Sequence, residues 1–199
     1  MNNFDHISGK HFQTGGADIY YEEIGPFDKP ILLLLHGGFG NIEDFNAIIP
    51  QIDKGFRIIG VDSRGQGKST LGQRALSYNL IQNDIEQLLK QLGINELSVI
   101  GFSDGGIVAY RLACFSELKI NKLVTIGSRW HKSNMIETKE VLSSVTAKKW
   151  REKFPGMINA YEKINPELRQ KVEDVILNKS PEAAEILLEL AEKIRQQSE

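Results

Sequence analysis

Thiols are almost missing from this chain. Cys114 is the single cysteine in 199 residues, so no internal disulfide can close. A chain of this length can instead bury a sizeable core, and Cys114, inside a predicted helix, is expected to be a buried, inert thiol. One cysteine and four histidines (His6, His11, His36, His131) give no metal-ligand spacing, so neither a metal nor a cofactor is expected. An excess of one charge is missing too: 24 basic residues against 26 acidic ones leave a net charge of −2. With the two signs interspersed, there is no basic stripe for nucleic acid and no patch for an anionic membrane. Long apolar runs are also absent; the densest, Ile31 to Leu35, is strand-sized and far short of a membrane span. The N-terminus has no charged region followed by an apolar core, so no export signal is visible and a cytoplasmic setting is expected.

What the sequence does contain is an alternation of strands and helices. Residues 11–24 read as two antiparallel strands joined at Gly15-Gly16. Ile31-Leu32-Leu33-Leu34-Leu35 is apolar on both faces, the mark of a central strand covered by helices on each side. A helix is expected from Ile42 to about Ile52, then a buried strand over Phe56 to Val61. Leu80, Ile81, Ile85, Leu88, Leu89 and Leu92 recur at helical spacing, and Gly93 ends that helix. The apolar run Leu97 to Ile100 reads as the next strand, driving into Gly101, and Ile107 to Ala113 as its following helix. Lys122 to Gly127 reads as one more short buried strand. From Met135 onward only helical stretches follow, the last starting at Ser180-Pro181 with Ala184, Leu187, Leu188, Ala191 and Ile194 on one apolar face. The expected fold class is α/β, a mostly parallel sheet with helices on both faces.

Three glycine-bearing loops follow three of these strands. His36-Gly37-Gly38-Phe39-Gly40 has the position of a dinucleotide fingerprint, but its third glycine is replaced by Glu43. Gly67-Lys68-Ser69 has the end of a phosphate-binding loop, but Asp62 stands where the first glycine is needed. Gly101-Phe102-Ser103-Asp104-Gly105 lies between strand and helix. Such a turn forces a strained backbone on its serine and lifts the hydroxyl above the sheet, next to a helix N-terminus. The bland alternative is an ordinary turn with an incidental serine.

Taken together, His-Gly-Gly after the third strand, Asp-x-Arg-Gly-x-Gly-x-Ser after the fourth and Gly-x-Ser-x-Gly after the fifth resemble the α/β-hydrolase fold family. The resemblance runs from about residue 11 to about residue 180. It implies a hydrolase core over 1–133, with a helical cap and C-terminal helix over 134–199. It makes Ser103 the nucleophile, with the backbone N–H of Asp104 as one oxyanion donor and that of Gly38 as the other; Phe39 takes the second role if the loop is offset by one. Asp62 and Arg64 are implied to fix loops near the site. The Asp104 side chain is expected to act as a favourable N-terminal helix residue rather than in the chemistry.

The family places an acid and then a histidine on loops after two further strands, and no histidine follows His131 here. His6 and His11 are expected at the surface. His36 is expected to fix its own loop, which leaves His131 as the candidate base. With the sheet truncated after its sixth strand, that strand is expected to be an exposed apolar edge, covered either by the 181–197 helix or by a second copy, so a homo-oligomer is expected. Two functions follow. One is a serine hydrolase acting on a small ester, amide or related carbonyl substrate. The other is a non-catalytic pseudo-enzyme, fragment or engineered truncation that binds a ligand or a partner chain.

Overall fold

In the computed structural model the chain divides into two compact units, Met1–Ser128 and Arg129–Glu199. The structure describes residues 3–52 and 55–129. The expected cap, the 181–197 helix and His131 all lie outside them.

The described residues build a six-stranded sheet in the order β1-β2-β4-β3-β5-β6. These strands are β1 Lys10–Thr14, β2 Ala17–Ile24, β3 Ile31–Leu35, β4 Arg57–Val61, β5 Glu96–Phe102 and β6 Lys119–Ile126. β1 and β2 form an antiparallel hairpin through Gly15 and Gly16, both at positive φ, and β2 also pairs antiparallel with β4. The remaining pairs, β4 with β3, β3 with β5 and β5 with β6, are parallel. The sheet is therefore mixed but mostly parallel, as the alternation predicts.

Strand pleating divides the apolar run of β3 between two cores. Leu33 and Leu35 join Ile59, Val61, Leu97 and Val99 beneath α1 (Tyr78–Gln91) and α2 (Asp104–Phe115). Leu32 and Leu34 face the other way, onto Phe4, Ile42, Phe45, Ile49 and Ile58. Two opposed cores on one strand explain why its sequence shows no alternation. Ser77 caps α1 by accepting from Leu80 N–H at 3.2 Å.

Four expectations change. The helix over 42–52 is two short 3-10 turns, Ile42–Ala47 and Ile49–Gln51. Pro50 cannot donate a backbone hydrogen bond, and Ile48 closes the first turn on Phe45 O instead. β6 begins three residues earlier than expected, at Lys119 rather than Lys122, and is not buried: Val124 is 49 % and Ile126 47 % exposed. Among the described residues it is the outermost strand, flanked only by β5. Cys114 is exposed, because the buried stripe of α2 runs through Gly105, Val108, Ala109 and Leu112 and leaves position 114 outside. His6 is buried rather than at the surface, folded under the sheet by residues 4–6. No described helix is long and apolar enough to cross a membrane, and no described group of side chains could hold a metal ion.

Candidate active site

Parallel strands β4, β3 and β5 end at the same edge of the sheet, so the three glycine-bearing loops meet there. Ser103 joins β5 to α2 with φ 50° and ψ −115°, a left-handed conformation that costs a non-glycine residue on the order of 1–3 kcal/mol. Backbone contacts hold it in place. Its N–H donates to Ile126 O at 2.8 Å, and its carbonyl accepts from Gly106 N–H at 3.0 Å and Ile107 N–H at 3.2 Å. The Ser128 hydroxyl donates to the same carbonyl at 2.9 Å. None of these bonds uses the Ser103 side chain.

The flanking glycines are needed for contact rather than for φ. A methyl group on Gly101 would lie 2.6 Å from Gly106 Cα, and one on Gly105 would overlap the Leu35 carbonyl. A bare Gly101 therefore lets the start of α2 lie directly against the end of β5, and a bare Gly105 lets the turn sit against the end of β3.

From the other side comes the loop after β3. A Cβ on Gly37 would fall 3.2 Å from Ser103 Cβ, and one on Gly38 would strike the Asp104 carboxylate. Gly40 N–H closes the loop on Gly37 O at 3.1 Å, and Phe39 takes φ 62°. The structure thus places Gly37 beside Ser103 and Gly38 beside the Asp104 carboxylate. His36 serves this loop with both ring nitrogens. Nδ1 donates to Gly37 O at 2.7 Å while Nε2 accepts from Ser63 N–H at 2.9 Å. At 1 % exposure it is fully committed to structure.

Three neighbours carry weight that the sequence did not reveal. Tyr78 OH donates to Asp104 Oδ1 at 2.7 Å, so the Asp104 carboxylate is held by the first turn of α1. Burial, with the adjacent Asp104 charge and that hydrogen bond, pushes the Tyr78 phenol far above its ordinary pKa. Ser128 buttresses the Ser103 carbonyl from 25 residues away. His6 reaches Asp62, Nε2 to Oδ2 at 2.8 Å. All three are long-range contacts, invisible to local motif reading; Ser77 as an N-cap was the only local hint of where Tyr78 would sit.

The Asp62–Ser69 turn ties the loops together. Asp62, fully buried, accepts from Ile42 N–H at 2.9 Å, Lys68 N–H at 2.7 Å and the His6 imidazole. Arg64 makes a buried two-pronged pair with Asp84, at 2.7 and 2.6 Å, and also donates to Thr14 O and Leu71 O. The remaining described histidine, His11, pairs with Asp18 at 2.9 Å. Each of the three described histidines is therefore engaged away from Ser103.

A family model described as alpha/beta hydrolase fold matches residues 30–174. Among curated proteins, a bifunctional esterase/perhydrolase of Acinetobacter calcoaceticus is 30% identical over 115 residues, 57% of this chain and 42% of that protein. A proline iminopeptidase of Pestalotiopsis fici is 32% identical over 136 residues, 64% of this chain and 48% of that one. The matched segment spans less than half of either relative. Among solved structures, a carboxylesterase of the thaumarchaeon Nitrososphaera gargenis superposes with TM-score 0.58 at 25% identity, covering 68% of this chain and 53% of that one. A hydrolase of Pseudomonas aeruginosa superposes with TM-score 0.64 at 20% identity, covering 98% of this chain and 72% of its own, and speaks to fold alone.

Proposed function

We propose that this chain, which belongs to the α/β-hydrolase fold family, works as a serine hydrolase on a small ester, amide or related carbonyl substrate, with Ser103 as its nucleophile. The observation that carries the reading is the backbone of Ser103. A strained φ of 50° is maintained by four hydrogen bonds to the Ser103 main chain, and its hydroxyl is bonded to no other described residue. Strain kept at a residue whose hydroxyl is not used to hold the turn is what a positioned nucleophile requires. Ser103 Oγ attacks the carbonyl carbon and its proton passes to a base; the carbonyl oxygen, now negative, sits between the N–H groups of Asp104 and Gly38, at the N-terminus of α2. Collapse expels the alcohol or amine and leaves an acyl-serine, which water then hydrolyses. Relatives named as an esterase/perhydrolase and a proline iminopeptidase support carbonyl chemistry of this kind.

One observation favours a second reading, a non-catalytic chain that binds a ligand or a partner. His6, His11 and His36 are all engaged elsewhere, so no described histidine serves Ser103. A fluorophosphonate probe separates the two readings. Labelling that is lost in Ser103→Ala and in His131→Ala supports the hydrolase with His131 as base. A chain that stays unlabelled under conditions where a complete serine hydrolase reacts supports the binding protein.

The half-exposed outer strand carries a proposal of its own: β6, with Val124 and Ile126 uncovered, pairs with a second copy. Sedimentation at micromolar concentration should give a dimer, and a clean monomer would count against that pairing.

A further inference from the structure

His6 is a buried histidine that neither the sequence motifs nor the proposed chemistry uses. It is 6 % exposed and holds φ 52°, a conformation a side-chain-bearing residue keeps only under constraint. The constraint comes from the segment around it. Phe4 packs into the core with Ile42 and Phe45, and its backbone exchanges two 2.9 Å hydrogen bonds with the Asn46 side chain. The His6 N–H donates to Glu22 Oε1 at 2.7 Å, and Lys68 Nζ donates to the His6 carbonyl. Residues 4–6 thus lie against the 3-10 turn that begins at Ile42, directly after the Gly37–Asn41 loop.

The imidazole touches the group that anchors the C-terminal end of that loop. Nε2 bonds Asp62 Oδ2, and the other oxygen of Asp62 holds Ile42 N–H. Among the described residues Nδ1 has no hydrogen-bond partner although it is buried, and Glu43 Oε1 lies 3.6 Å from it. A proton on Nδ1 would therefore find a carboxylate within a small rotation. Without that proton, a buried lone pair faces a negative charge.

We propose that His6 is a positioning residue: bonded to Asp62 and facing Glu43, it braces the loop that carries the Gly38 N–H, and makes the brace pH-dependent. This deepens the hydrolase reading and rests on it for its catalytic consequence, though not for the brace itself. The groups facing His6 are Asp62 from the turn after β4, Glu43 from the 3-10 turn, Glu22 and Tyr20 from β2, Asp5 from its own segment, and Lys68 at its carbonyl. Burial pulls the imidazole pKa down, but the hydrogen bond and charge of Asp62, aided by Glu43 and Glu22, outweigh it and leave the value raised. The added stability of a raised pKa is complete below the ordinary value of about 6.5 and is lost as pH rises through the folded value. The brace is tight in acid and slack in mild base.

The test uses the full chain as wild type, His6→Gln and Glu43→Gln. Gln keeps an N–H for Asp62 but does not titrate. Amide hydrogen exchange at residues 37–42, corrected for intrinsic rates, is followed from about pH 5.5 to about pH 9. Protection in the wild type should fall by about two- to tenfold as pH rises, and stay flat in His6→Gln. The NMR titration midpoint of His6 should lie above the ordinary imidazole value and drop in Glu43→Gln, a readout that survives if His6→Gln does not fold. Superimposable exchange in wild type and His6→Gln, or a His6 midpoint at or below the ordinary value, would overturn the brace. The fluorophosphonate labelling rate of Ser103, as a ratio of wild type to His6→Gln, should decline with the same midpoint. A pH-dependent exchange difference in a chain that never labels keeps the brace and sinks the hydrolase.

Discussion

Two turns at the same edge of the sheet solve the same geometric problem by opposite means. The Asp62–Ser69 turn after β4 is saturated with side-chain bonds: Asp62 accepts three, Arg64 reaches across to Asp84, Thr14 and Leu71, and Asp62 and Arg64 are each 0 % exposed. The Gly101–Gly105 turn after β5 is fixed by backbone hydrogen bonds, bare glycines and one bond from the Ser128 hydroxyl, while the hydroxyl of the serine at its tip is bonded to no other described residue. The two charged groups of the Asp62–Ser69 turn, Asp62 and Arg64, are buried and bonded, so neither is left for a substrate. A turn that keeps its strain and leaves its hydroxyl unspent is organised for something other than stability. The contrast places the architecture in Asp62 and Arg64, and the candidate chemistry in Ser103.

Arg64→Ala should break the first turn most severely. It leaves Asp84, also buried, without a counter-charge, and removes donors from two loop carbonyls. Loss of one partner from a buried pair costs about 3–5 kcal/mol, so urea unfolding should show a much lower midpoint. A loss of unfolding free energy below about 1 kcal/mol would mean that water replaces the guanidinium and that its bonds do not anchor the turn.

Ser103→Gly should act in the opposite direction. Glycine adopts φ 50°, ψ −115° without steric cost, so the variant should be more stable than wild type by on the order of 1 kcal/mol, while labelling disappears. Ser103→Ala abolishes labelling too, but keeps the Cβ and hence the strain, so its stability should stay near wild type. A destabilised Ser103→Gly would mean that the serine hydroxyl is a structural group after all, and the two turns would no longer differ in kind.

Most of the architecture was legible because it rests on local pattern. The uninterrupted apolar run of β3, the helical spacing from Leu80 to Leu92 and the glycines on either side of Ser103 each state their environment directly. What was not legible depends on distant partners. Cys114 reads as core because its neighbours are apolar, yet the rotation of α2 turns it outward. The stretch from Ile42 to Ile52 has the composition of a helix, but Pro50 interrupts it and it folds as two short 3-10 turns. His6 stands outside any strand pattern, and only tertiary folding brings it to Asp62, 56 residues away. At the site itself, the motifs named Ser103, Gly38 and Asp104 as candidates; they gave no sign that Tyr78 would hold the Asp104 side chain.

That last contact is the finest test of the contrast, because it joins a saturated side chain to the second turn. If Asp104 serves only as a favourable charge on the first turn of α2, Tyr78→Phe should cost about 0.5–1 kcal/mol, the worth of one partly buried hydrogen bond, and labelling of Ser103 should be unaffected. If the bond instead fixes Asp104 against Gly38, labelling should slow by more than the loss of stability accounts for, since the N–H groups on either side of the developing charge would lose their register. A double-mutant cycle with Asp104→Ala decides between them. Coupling near 1 kcal/mol in stability with none in labelling rate assigns the pair to the architecture, as with Arg64 and Asp84. Coupling in the labelling rate assigns it to the site, and moves the boundary between the two turns from Ser103 to Tyr78.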